Sequence, residues 1–338
     1  MKRIILCTAL LALAAPSNAN DSSAAIGLGG LTLTQSDAVR IDSEELFLSM
    51  QRVTVKYRFT NTSAKDVETL VSFPLPPVPD DVGYYGDTTT PDWKADLDFR
   101  TLVDGKPVEL GYREEVIVIG RPEMKDALVR LKELGWPVRH WDDYEFDTKF
   151  IQPLSPAKKA ELVKAGLLAK LDETGEVFPN WQVQAHVTRR QIFPAGKTIS
   201  VEHSYKPVMG GSVGGILDRD YRSEQSFKDY AAAYCIDKAF LTGFDKKRYA
   251  KKRDADGNPV GQFYVEKWLS YVLKSGANWK GPIRDFRLVV DKGSPANLVS
   301  FCMTGVKKIS PTQFEVRKTN FEPAKDLDIL IVEWPPLP

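Results

Sequence analysis

The chain has 338 residues, 27% of them charged, with 46 Lys and Arg against 45 Asp and Glu. That length accommodates two core-forming units, since domains commonly run to about 100–200 residues. The near-neutral balance leaves no electrostatic footprint for nucleic acid or an anionic membrane, and beyond the N-terminus no run is apolar enough to cross a bilayer.

Lys2 and Arg3 precede an apolar run over 4–15, and Ser17-Asn18-Ala19 places small residues at signal-peptidase spacing. This pattern predicts a cleaved secretory signal over 1–19, because the run is too short for a membrane span. Cys7 lies inside the run, too early for lipid attachment, so the mature protein is expected to begin near Asn20 and to be soluble in the periplasm or secreted. Removing Lys2 and Arg3 leaves 44 basic residues against 45 acidic ones. Only Cys235 and Cys302 survive cleavage. In an exported protein they are read most simply as one disulfide, stabilising by about 4 kcal/mol on the chain-entropy model. Two separately buried thiols are the alternative, and the spacing excludes a two-cysteine redox motif.

The plainest structural signal is 53–76, VTVKYRFTNTSAKDVETLVSFPLP. Val53, Val55, Tyr57 and Phe59 alternate with polar residues, the period of a strand with one buried face. Residues 61–66 are polar turn chemistry, and Val67, Thr69, Val71 and Phe73 resume the alternation until Pro74-Leu75-Pro76-Pro77 halts it. The expectation is a β-hairpin of a sandwich, which is a scaffold signal without chemistry of its own.

Several segments also carry a resemblance. Asn20-Asp21-Ser22-Ser23, the glycines of 27–31, Phe73-Pro74-Leu75-Pro76, Phe193-Pro194-Ala195-Gly196-Lys197, 201–207 (VEHSYKP) and 281–302 look like a bacterial secreted family known only as domain of unknown function 4424. These motifs span nearly the whole mature chain, and the family has no catalytic residues to carry over. Residues 53–76 alone also resemble the β-rich domain of vault and inter-alpha-trypsin-inhibitor proteins, which implies an interaction module.

Residues 80–90 are a turn-rich connection, and 96–112 read as a second hairpin closed by Asp104-Gly105, which favours the positive φ of a tight reversal. Residues 116–119 make one more short strand. The pattern then turns helical. Met124, Ala127, Leu128, Leu131 and Leu134 form a stripe between Pro122 and Gly135, and Ser155-Pro156 opens a second helix reaching about Gly166. A helical insertion is therefore expected around 122–170. It divides the chain into an N-terminal β-sandwich part (20–120), the insertion (121–179) and a C-terminal β-rich part with one helix (180–338).

Between the two helices lies 136–147, WPVRHWDDYEFD, the most site-like run in the chain. Trp136, Trp141 and Tyr144 offer faces for sugars, while His140, Asp142 and Asp143 offer hydroxyl partners, so a glycan-binding ledge is chemically reasonable. The competing and preferred reading has Trp136 and Trp141 anchoring the insertion while the acids stay solvated.

Residues 180–205 predict another hairpin, turning at Pro194-Ala195-Gly196, with Val187 opposite His203. His186 and His203 then point to opposite faces, so they share no metal, and His203 reads as a hydrogen-bonded core histidine. The glycine-rich 209–215 offers backbone amides to an anion but lacks a phosphate-loop ending, and is expected to be a flexible connector or flap. Residues 223–241 read as a helix carrying Cys235, 246–253 as a solvated basic face, and 254–258 as a turn short of calcium ligands. Strand patterning returns over 261–279, 283–291, 298–303, 312–320 and 327–334. The segment 324–335 resembles 64–74, read as similar hairpin geometry and not as a repeat.

The chain thus predicts a mainly β protein with α insertions, built of antiparallel, sandwich-like hairpins. There is no serine-nucleophile elbow, no metal site and no cofactor motif, and no carboxylate pair that spacing alone brings together. The expected role is non-enzymatic: a binding or structural interaction module of the bacterial periplasm or envelope, with an envelope protein or glycan as partner, no nucleic acid and no membrane span. The alternative is a periplasmic glycan-processing enzyme using acids among Asp142, Asp143, Glu145 and Asp147.

Overall fold

The computed structural model describes residues 22–27, 30–78, 92–121, 123–171, 174–250 and 261–335. The expected signal peptide, the connection over 80–90, Pro122 and the turn over 254–258 lie outside them. In chain order the strands begin β1 (Ser22–Gly27), β2 (Gly30–Thr34), β3 (Val39–Ser49), β4 (Val53–Asn61), β5 (Val67–Pro74), β6 (Arg100–Val103), β7 (Lys106–Pro107) and β8 (Gly111–Val118). Helices α1 (Ala127–Glu133) and α2 (Pro156–Ala165) follow, then β9 (Leu168–Lys170), β10 (Val177–Pro179), β11 (Trp181–Phe193), β12 (Thr198–Tyr205) and β13 (Met209–Val213). The chain continues through α3 (Gln225–Ala233), α4 (Lys238–Arg248), β14 (Val265–Tyr271), β15 (Ile283–Asp291), β16 (Leu298–Phe301), β17 (Lys307–Lys308), β18 (Gln313–Phe321) and β19 (Leu327–Glu333).

The fold is mainly β with helical additions. One sheet runs β17-β18-β15-β3-β4-β12-β6-β7, a second β2-β1-β5-β11-β8 and a third β13-β14-β19-β16, with β9 and β10 as a separate pair. Pairing is mostly antiparallel, and β15 lies parallel to β3. Two compact units divide the chain, Val116–Val183 and Ser17–Glu115 with Gln184–Pro338.

In the larger unit the alternation of β4 does what its period requires: Val53, Val55, Tyr57 and Phe59 are all buried. Phe59 packs against Phe193, and Phe73 against Phe99, His203, Tyr205 and Tyr271. These contacts join the eight-stranded sheet to its neighbours through an aromatic core.

Two of the three expected hairpins, 53–76 and 180–205, are not hairpins. β4 pairs with β12, and β5 with β11, so each connection crosses from one sheet to the other. The crossings lie side by side, with Asn61 N–H on the Lys197 carbonyl (3.0 Å), Asn61 Nδ2 on the Phe193 carbonyl (2.8 Å) and Ala195 N–H on Asp66 Oδ1 (2.8 Å). Alternation and polar turn residues are common to hairpins and to such arches, and the pairing partner is settled by which arch stacks beside it. The proposed opposition of Val187 and His203 therefore does not form: Val187 lies opposite Phe73, and His203 opposite Val55.

The likeness between 64–74 and 324–335 corresponds to shared geometry of this kind. β18 to β19 also crosses between sheets, and Asp326 Oδ1 accepts the Lys274 N–H (3.0 Å), as Asp66 accepts that of Ala195. By contrast β6 and β7 do form a true hairpin, with Asp104 and Gly105 at φ +47° and +75°.

The smaller unit holds α1 and α2. Ser155 Oγ caps α2 by accepting the Lys158 N–H at 3.2 Å, and Gly166 closes it at φ +87°. The single helix expected over 223–241 is two. Asp237 Oδ1 accepts the Phe240 N–H (2.7 Å) and so starts α4, while Cys235, at φ +52°, breaks the chain before it.

Candidate functional site

The run 136–147 lies in the smaller unit, and its aromatic residues converge on Trp181. Trp136 is buried and stacks on Trp181 with ring centres 6.1 Å apart, and Phe146 meets both rings edge-on. Trp181 Nε1 donates to the Val138 carbonyl at 2.8 Å, which fixes the loop over the ring. His140 stands edge-on between Trp141 and Trp181, each 4.9 Å away, with Nε2 3.4 Å from the Trp181 carbonyl. Burial depresses its pKa to about 4, partly offset by that carbonyl and by Asp142, so the ring is neutral at neutral pH.

The acids of this run have nearby partners. Asp143 and Glu145 share the Lys149 ammonium at 2.9 and 3.0 Å, and Asp147 accepts from Gln152 at 2.9 Å. Lys149 holds the Asp143 carboxyl below its ordinary value. Asp142 is exposed, and Tyr144 projects almost wholly into solvent. Six residues singled out for a ligand are thus split: Trp136, His140 and Trp141 pack, while Asp142, Asp143 and Tyr144 line the outside.

The two histidines of the larger unit are buried within its sheets. His203 is fully buried on β12 with Thr101 Oγ1 2.8 Å from Nδ1, the hydrogen-bonded core histidine its apolar phase predicts. His186 has Ser72 Oγ 3.0 Å from Nδ1 and Glu115 Oε2 3.2 Å from Nε2, a serine–histidine–glutamate row. Ser72 nevertheless is fully buried in mid-strand, paired on both sides to Ser22 and Thr188, and has no turn beside it to offer oxyanion donors.

The feature that local sequence reading missed lies on the third sheet. β19 is buried on both faces: Leu327, Ile329 and Ile331 on one, and on the other Leu330 and Val332, which pack with Phe227, Phe240 and Phe244 of α3 and α4. Glu266 and Trp268 of β14 stand opposite Val332 and Leu330, on this helix-covered side. Glu266 is 1% exposed. The Tyr230 hydroxyl of α3 donates to its Oε2, and Trp268 Nε1 donates to Tyr230 Oη at 2.6 Å. Glu266 Oε1 has no hydrogen-bond partner among the described residues. Burial lifts this carboxyl to about 7, against the pull of Tyr230 and Trp268 and with a further push from Asp218.

Of the glycine-rich segment expected to be a flexible connector or flap, Met209–Val213 is the edge strand β13 beside β14, and Gly214 and Gly215 follow it next to this carboxyl. A Cβ on Gly210 would come 2.7 Å from Trp268 Cε3, and one on Gly215 would come 2.8 Å from Glu266 Oε1. These glycines serve close approach. Around the carboxyl the donors are already used: Ser212 Oγ bonds the Gly214 carbonyl (2.9 Å) and Tyr264 Oη that of Gly215 (3.1 Å). Asp218 is held by Arg248 at 2.8 Å, so Arg248 of the basic run is engaged and not merely solvated. Nearby, Cys235 and Cys302 are bridged, and Ser300 Oγ donates to the Tyr234 carbonyl at 2.9 Å, so the end of α3 is tied to β16. The sequence signal available for Glu266 is an acid in strand phase with Trp268.

A three-sheet, mainly antiparallel β scaffold with a helical unit and a helix-covered carboxyl is the class of protein this architecture defines. The chain belongs to the family described as "Domain of unknown function (DUF4424)", whose model matches residues 19–330. No curated protein matches it. Among solved structures it is similar to a protein of Legionella pneumophila, provisionally described as nutrient binding, at 14% identity and a TM-score of 0.42, over 88% of this chain and 68% of that one. No helix among the described residues is long and apolar enough to cross a membrane.

Proposed function

We propose that the protein is a non-enzymatic binding module of the bacterial periplasm or envelope, and that its ligand is taken at the Glu266 side of the third sheet. The observation that carries this reading is the orphaned Oε1 of a fully buried carboxyl. Holding a charged carboxylate there works against stability, because a buried acceptor without a donor forfeits its hydration. Groups kept at such a cost are commonly ones that a ligand completes. The Cys235–Cys302 bridge and the N-terminal pattern Lys2-Arg3 followed by an apolar run support an oxidising compartment outside the cytoplasm.

The test is native mass spectrometry of the protein recovered from the periplasm, wild type against Glu266→Gln. A small molecule that co-purifies with the wild type and is lost from the variant supports the reading. The same adduct at the same occupancy on both proteins overturns it. The alternative is a glycan-processing enzyme, favoured by one fact: a carboxyl raised to about 7 suits a general acid. In that case Glu266→Gln abolishes turnover of peptidoglycan fragments, and a binding module shows no turnover to abolish.

A further inference from the structure

The unfilled oxygen of Glu266 has surroundings that narrow what can complete it. Its neighbours Ser212 and Tyr264 have committed their hydroxyl hydrogens to the Gly214 and Gly215 carbonyls. The region beside Oε1 is therefore rich in acceptors and needs a donor from outside. Asp218 adds a repulsion on this carboxyl, and is itself paired with Arg248, whose guanidinium lies 5.3 Å from the Tyr264 ring centre. The adjoining side chains Tyr230, Trp268 and Tyr264 are aromatic, and an ammonium group is attracted to such rings as well as to a carboxylate. A neutral hydroxyl would satisfy one hydrogen bond and leave the charge unpaired.

On one side Oε1 faces backbone that carries no side chain. Gly214 sits at φ +73° with open space around its Cα, and Gly215 lies directly against Oε1 without a side chain.

Resting on the binding reading above, we infer that Glu266 Oε1, with Trp268 and Tyr230 beside it, is the recognition point for a small protonated amine admitted by the Gly214–Gly215 turn. The ammonium donates to Oε1 while Oε2 keeps the Tyr230 hydroxyl. No covalent step is involved. Glu266 must be ionised to pair with the cation, so affinity rises as pH passes through about 7.

The experiment is isothermal titration calorimetry on the full mature chain with n-butylammonium chloride, n-butanol, N-acetylglucosamine and calcium chloride, near pH 8 and near pH 5.5. Wild type is expected to bind n-butylammonium saturably near pH 8 and at least about tenfold more weakly near pH 5.5, with no binding of n-butanol. Glu266→Gln, which keeps an acceptor for Tyr230, is expected to lose at least about tenfold near pH 8 while its circular dichroism is unchanged. Gly215→Ala, which crowds Oε1 and leaves Glu266 in place, is expected to lose a similar factor. Equal n-butylammonium affinity in wild type and Glu266→Gln, or no saturable binding to wild type, overturns the amine assignment. N-acetylglucosamine or calcium binding that depends on Glu266 also overturns the amine assignment and leaves the binding reading standing. Turnover of a glycan that depends on Glu266 overturns both.

Discussion

The run 136–147 and the strand Val265–Tyr271 with its cover carry the same kinds of side chain, acids beside tryptophans and tyrosines, and use them in opposite ways. In the first the rings close on one another around Trp181, and Asp143, Glu145 and Asp147 pair with Lys149 or Gln152 at the surface. In the second the acid goes inside with the aromatic residues, and one of its oxygens is left unfilled. The same composition produces an anchor where the acids stay wet and, where one is enclosed, a buried carboxyl with an unfilled oxygen. Their ionisable groups respond to pH with opposite sign.

The sharpest separation comes from deleting the anchor. Trp181→Ala is expected to destabilise the protein by about 3 to 5 kcal/mol, the usual cost of removing a buried tryptophan. Hydrogen exchange is expected to rise first in α1 and α2. Exchange rising first in α3 would show that the aromatic cluster is not what holds the smaller unit.

Next is the bridge beside the other region. Cys302→Ser is expected to cost about 4 kcal/mol in denaturant unfolding. The loss should be abolished when both proteins are compared under reducing conditions.

The pH responses follow. Glu266 rises from 4.5 to about 7 on folding, so the native state binds the extra proton between those values and stability falls as pH climbs through them. The full penalty above pH 7 is about 3 kcal/mol. Glu266→Gln is therefore expected to be more stable than wild type near pH 8 and no more stable near pH 4. His140 falls from 6.5 to about 4, so its native state lacks a proton that the unfolded chain binds, and stability is lost as pH drops through that interval. Acid is thus expected to loosen the smaller unit first and alkali the α3 lobe. Urea titrations at a series of pH values, with exchange read at α1 and α3, check both signs.

The smallest effects belong to the exposed members of the aromatic run. Tyr144→Ala is expected to change stability by no more than about 0.5 kcal/mol, and Asp143→Asn to leave the urea midpoint near that of wild type. A change in glycan affinity without a change in stability would restore 136–147 as a ligand surface.

Much of the architecture is legible along the chain, because it rests on short-range rules. The buried face of β4, the Asp104-Gly105 reversal, the Ser155 cap and the core role of His203 all follow from period, turn residues and phase. The close-approach role of Gly210 is not legible, because a glycine that permits motion and one that admits a neighbour's ring look identical in one dimension.

Alternation and chain chemistry by themselves determine that this polypeptide makes sheets with a helical insertion, and they single out Cys235 and Cys302 as partners. Only the tertiary structure decides that β4 and β12 pair while β5 and β11 pair, and that Glu266 is enclosed with one oxygen unfilled while the four acids of 136–147 stay at the surface. The reason is that strand period says which face is buried but not against what. Both the choice of strand partner and the satisfaction of a carboxylate depend on groups brought together from distant parts of the chain.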